Sequence, residues 1–181
     1  NGHYRFNRVD LLEWSSSRKH PMAAYANPGK DFPLLRQALK AGGIHRGIAG
    51  SDAESALAAA AERLPLSPAD RALAAQVLAE REKLGTTTLG EGVAIPHPRS
   101  PLVFPVEAPL AALCFLERPF DFGAADGKPV GALFLLLAPT VRTHLILLAE
   151  LAAALHVPRF KDAVARHASA EEIFKLLELE A

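Results

Sequence analysis

The chain has 181 residues, with 20 Lys plus Arg against 20 Asp plus Glu, so its formal net charge is zero. Half of it is hydrophobic, the composition of an ordinary globular chain able to bury about 70% of its unfolded surface. This balance excludes nonspecific nucleic-acid binding by bulk electrostatics, and the single cysteine, Cys114, excludes a disulfide framework and any multi-cysteine metal site. The first twenty residues hold the one Trp and carry Arg5, Arg8, Arg18 and Lys19 against Asp10 and Glu13. Residues 21–33, with Pro28-Gly29 inside, read as a linker. The expected division is a tail and linker over 1–30 and one domain over 31–181.

From Asp31 the signals are regular. Leu34, Leu35, Ala38 and Leu39 make one helical face stopped by Gly42-Gly43. Ser51-x-x-Glu54 has the form of a capping box for an Ala-rich helix to about Leu64. Ser67-Pro68 starts the next helix, with Ser as N-cap and Pro in the first turn, and Gly85 stops it. Residues 90–95 read as a loop entering a short strand closed by Pro96. Leu110–Leu116 and Val130–Leu137 are apolar runs without alternation, which is the pattern of strands covered on both faces. Arg142–Leu155, Arg159–His167 and Ala170–Leu179 read as helices, the last capped by Ser169. Buried strands mixed with helices predict an α/β fold, a mixed β-sheet flanked by helices on both faces.

The longest apolar run, Val130 to Ala138, ends at Pro139 and falls well short of the ~20 residues that a membrane span needs. Without an apolar signal-peptide core at the start, the expectation is a cytoplasmic chain. It opens on Asn1 rather than Met and so reads as a fragment.

Three segments carry chemistry. In the first, a Gly- and Thr-rich stretch leads into Val93-Ala-Ile-Pro-His97-Pro98. The flanking prolines hold His97 in a stiff extended segment at a strand end, which suits a reactive group, although alone it reads equally as a loop histidine. In the second, His144 lies at the start of an apolar helix that Thr143 is placed to cap, where a cation is disfavoured and a neutral ring can still donate one hydrogen bond. In the third, Arg81 sits near the end of a long helix, where charge usually just meets solvent. The other histidines have plainer readings: His3 and His20 solvated, His45 in a loop, His156 and His167 at helix C-termini. Cys114 reads as an inert core thiol, and Asp121 and Asp126 as solvated loop carboxylates.

Taken together, Arg81-Glu-Lys-Leu-Gly-Thr-Thr87 and Gly90-x-Gly-Val-Ala-Ile-Pro-His97 resemble the enzyme IIA domain of the phosphoenolpyruvate-dependent phosphotransferase system, in its fructose, mannitol and nitrogen-regulatory class. Pro119-Phe-Asp-Phe-Gly-Ala-Ala-Asp-Gly-Lys-Pro-Val130, Leu133–Pro139 and Thr143-His144-Leu-x-x-Leu148 extend the resemblance over about 31–180. It implies that His97 accepts a phosphoryl group, that His144 stabilises it and that Arg81 neutralises charge. It leaves the role of Arg99 open. It implies no cofactor and no metal, and neither a Walker-type phosphate loop nor a His-x-x-x-His pair is present.

The implied activity is phosphotransfer by a phosphohistidine relay, and the implied donor is HPr or a nitrogen-type HPr paralogue. Onward partners are a regulatory target protein or a IIB domain. A regulatory relay is preferred over a sugar-transport component because no IIB or membrane segment accompanies the domain. A degenerate binding module is the rival from another class. Tyr4–Trp14 also resembles the end of an excisionase-type helix-turn-helix, which would place DNA binding in an upstream domain.

Overall fold

A computed structural model describes residues 32–98 and 104–179. In chain order the elements are α1 (Pro33–Gly42), β1 (Ile44–Ile48), α2 (Ala53–Ala61), α3 (Pro68–Lys83), β2 (Thr88–Gly90), β3 (Val93–Ala94), β4 (Leu110–Phe120), β5 (Val130–Leu137), α4 (Val141–His156), α5 (Pro158–Ala165) and α6 (Ala170–Leu179). The strands form one sheet in the order β1-β4-β5-β3-β2. β1 runs parallel to β4 and β3 parallel to β5, while β4–β5 and β2–β3 are antiparallel. This is the expected mixed sheet.

Successive side chains of a strand point to opposite faces, so one strand feeds two cores. Ala132, Phe134 and Leu136 of β5 join Leu113 and Phe115 of β4 on one face, under α1, α4, α5 and α6. Leu133, Leu135 and Leu137 join Ala112 and Cys114 on the other, under α2 and α3. All eight residues of β5 are buried. Hence its sequence shows no polar alternation. Burial pushes the Cys114 thiol up to about 12, which keeps it protonated and inert.

Helix starts follow local chemistry, with two corrections. Asp52, not Ser51, caps α2: its carboxylate accepts the Ser55 N–H, and Ser55 at N3 completes the box. The register differs by one residue because Asp52 takes the extended backbone that an N-cap requires. Likewise Thr140, not Thr143, caps α4, its hydroxyl accepting the Thr143 N–H at 3.1 Å. α1 has no side-chain cap of its own. Glu150, 3% exposed, reaches across from α4 and accepts the Leu35 N–H at 2.7 Å. A buried carboxylate at a helix N-terminus is thereby matched to the positive end of the helix dipole.

Two strands depart from the expected pattern. His45 lies in the parallel edge strand β1, not in a loop, and its Nε2 bonds the Gly42 carbonyl. The segment before Val93 forms a two-residue hairpin, β2–β3, not a simple loop. His167 departs too. It takes a positive φ of 55° and stacks on Phe115 at 4.4 Å. Burial, then Arg46 nearby, lowers its pKa, so a positive charge is not favoured there.

Candidate functional site

The β2–β3 hairpin turns through Glu91 and Gly92, both at positive φ. Two consecutive left-handed residues are the requirement of a tight hairpin whose twist matches its strands. Asp126, from the loop before β5, accepts the Glu91 N–H and the Lys128 N–H. It is therefore a turn anchor rather than a merely solvated carboxylate. Glu91 also pairs with Lys161 of α5.

After the hairpin the chain runs along β5. Gly92 O accepts the Ala132 N–H at 3.1 Å, and Pro96 O accepts the Leu136 N–H at 3.1 Å. His97 follows directly. Its Nδ1 lies 2.7 Å from the Ile95 carbonyl oxygen. A carbonyl can only accept, so Nδ1 carries the hydrogen. In the neutral ring the lone pair is then on Nε2.

His144 comes to the same place from α4. The two imidazole rings are 5.3 Å apart between centroids and tilted by 38°. His144 is 9% exposed. Its burial, then the neighbouring His97, pushes its pKa down to about 4. His97 is also lowered: burial acts most strongly and Arg81 adds to it, while the Ile95 carbonyl and Glu82 oppose. Both rings are accordingly neutral near pH 7.

Arg81 donates to the Gly85 carbonyl at 2.8 Å and acts on His97 through its charge. The fold thus gathers His97 and His144 as neighbours, while Arg81 bonds the Gly85 carbonyl and reaches His97 only through its charge. Sequence reasoning missed Glu82, whose carboxylate grips Thr87. It also missed the exposed Leu84, at the end of α3, the exposed Leu89, in β2, and the partly exposed Leu145 beside His144. No sequence signal separates these from ordinary core leucines. Arg99 and the Tyr4–Trp14 stretch lie outside the described residues. Among the described residues, no group of three or more His, Cys, Asp or Glu could hold a metal ion, and no single helix is long and apolar enough to cross a membrane.

Residues 37–179 match the family described as phosphoenolpyruvate-dependent sugar phosphotransferase system, EIIA 2. The chain belongs to this family. Among relatives of this EIIA domain, a nitrogen regulatory protein of Pseudomonas aeruginosa is 40% identical over 102 residues, 55% of this chain and 64% of the relative. A nitrogen regulatory protein of Bradyrhizobium diazoefficiens is 41% identical over 106 residues, 58% of this chain and 67% of the relative. The chain thus matches under two thirds of the first relative's length. The crystal structure of nitrogen regulatory protein IIA-Ntr from Neisseria meningitidis has a TM-score of 0.62 at 32% identity, covering 80% of this chain and 94% of that one. EIIA membership agrees with the sandwich and with the resemblance drawn from the residues around His97.

Proposed function

We propose that this EIIA domain is a phosphohistidine carrier in a regulatory, nitrogen-type phosphorelay, and that His97 Nε2 is its phosphoryl acceptor. One observation carries the reading: the Ile95 carbonyl accepts a hydrogen bond from His97 Nδ1–H at 2.7 Å, which leaves a lone pair on Nε2 of a ring that burial keeps neutral. The nitrogen regulatory relatives support the regulatory role over the sugar-transport one. In this reading the domain spans 31–181 after a tail and linker of 1–30, which the family match over 37–179 supports.

The chemistry follows from the tautomer. Nε2 attacks the phosphorus of a donor phosphohistidine on HPr or its nitrogen-type paralogue. A nitrogen–phosphorus bond forms here as one breaks on the donor, and no proton moves. The ring gains positive character, which the Ile95 carbonyl stabilises through Nδ1–H. His144, neutral, donates to a phosphoryl oxygen, and Arg81 offsets negative charge through its field at His97. Each charge-assisted bond of this kind contributes about 1.5–3 kcal/mol. The rest of the catalysis is positioning for in-line transfer. The phosphoryl group then passes to a regulatory target or a IIB domain.

Incubation with phosphoenolpyruvate, enzyme I and HPr tests the assignment. The wild-type chain should take up one acid-labile, base-stable phosphate, and His97→Ala none. A phosphate that persists on His97→Ala removes His97 from the role.

A further inference from the structure

Glu82 lies in the last turn of α3, between Arg81 and Lys83, where a carboxylate normally faces water. Here it turns toward the loop instead. One oxygen accepts the Thr87 N–H at 2.9 Å and the other the Thr87 hydroxyl at 2.6 Å. Thr87 is only 8% exposed. Such bonds are charge-assisted and partly shielded from solvent, which favours short, strong contacts.

The connection continues to the imidazole. The Thr87 carbonyl accepts the Ile95 N–H at 3.0 Å. The Ile95 carbonyl accepts from His97 Nδ1 at 2.7 Å. An unbroken series of hydrogen bonds therefore runs from the end of α3 to the ring. A second link is electrostatic: the Glu82 charge favours the protonated His97 ring, against Arg81. The other titrating neighbour, His144, is neutral near pH 7 and leaves this opposition in place.

We propose that Glu82 is a positioning residue for His97: by fixing Thr87 it holds the Ile95 carbonyl that sets the orientation and tautomer of the ring. Its kinetic consequence rests on His97 being the phosphoryl acceptor. Its effect on the ring itself does not.

The test uses the whole chain, labelled with nitrogen-15, as wild type, Glu82→Gln and Thr87→Val. Wild-type His97 should show the Nδ1–H tautomer. In Glu82→Gln the tautomer becomes mixed, and the His97 titration moves to lower pH because a charge favouring protonation is gone. Phosphoryl acceptance slows about tenfold to a hundredfold, as expected for a slightly misplaced reacting group, and its acid limb shifts in the same direction. A merely structural role would leave that limb where it was. Thr87→Val should slow acceptance while leaving the titration near wild type, because the Glu82 charge remains. An unchanged His97 tautomer and titration in Glu82→Gln overturns the proposal, and so does acceptance at the wild-type rate. If Glu82→Gln does not fold, Thr87→Val decides, and an unchanged tautomer there overturns it equally. If wild type accepts no phosphate but its ring still responds to Glu82→Gln, the carrier function falls and the positioning role stands.

Discussion

The His97 and His144 rings lie 5.3 Å apart, tilted by 38°, one delivered by the segment after β3 and the other by the first turn of α4. Two bases this close cannot both be charged without repulsion, and burial acts in the same direction. In the proposed relay the pair supplies one free lone pair, on His97, beside one hydrogen-bond donor, on His144.

That division of labour predicts the position of the phosphate. The adduct should form on Nε2, because Nδ1 is bonded to the Ile95 carbonyl. Phosphorus-coupled NMR of the phosphorylated chain distinguishes the two ring nitrogens. Phosphate on Nδ1 would count against the tautomer argument.

His144→Gln should still accept phosphate but pass it on slowly. Gln places its amide donor differently from the ring N–H, so a bond worth about 1.5–3 kcal/mol is weakened and transfer slows by up to roughly a hundredfold. Single-turnover transfer to a competent acceptor measures this. Transfer at the wild-type rate would exclude His144 from the step.

The pH dependence has a definite sign. Unfolded, His144 takes up its proton near the ordinary value of 6.5; folded, it resists protonation down to about 4. Between those values the unfolded chain binds more protons, so stability falls as pH drops through the window. The effect is complete below about 4 and absent above 6.5. Thermal melts of wild type should show this slope, and His144→Gln should flatten it. Phosphoryl acceptance should likewise persist below the usual histidine range, because His97 is also lowered.

The hairpin that precedes His97 depends on Gly92. Its φ is +82°, and a Cβ there would sit 3.3 Å from the Pro129 carbonyl oxygen. Gly92→Ala should cost about 1 kcal/mol or more, since a side chain is strained in that conformation. Glu91→Gly should relieve the neighbouring strain at φ 53° while giving up the Lys161 pair. Such an exposed pair contributes little. Denaturant melts of both variants should move in opposite directions.

The elements that local chemistry specifies were readable in the sequence. Val130–Leu137 stands out as an apolar run bounded by prolines, and Ser67-Pro68 marks the start of α3. His97 and His144 were singled out through the motif around them. β1 was not legible because Ile44-His-Arg-Gly-Ile48 is short, weakly patterned and paired with a parallel strand remote in sequence. β2 spans three residues, and only its pairing with β3 makes it a strand. Glu82, Asp126 and Glu150 share one reason: each has an ordinary charged residue's sequence context, and its partner is supplied by a turn or by another layer of the fold.

The full burial of β5 limits where the chain can change length. Adding or removing one residue inside Val130–Leu137 would exchange Phe134 and its face-mates with Leu133 and Leu135, pushing each set into a cavity shaped for the other. Insertions should therefore be rejected anywhere inside this strand. The sheet fixes the numbering of this strand as firmly as it fixes its place.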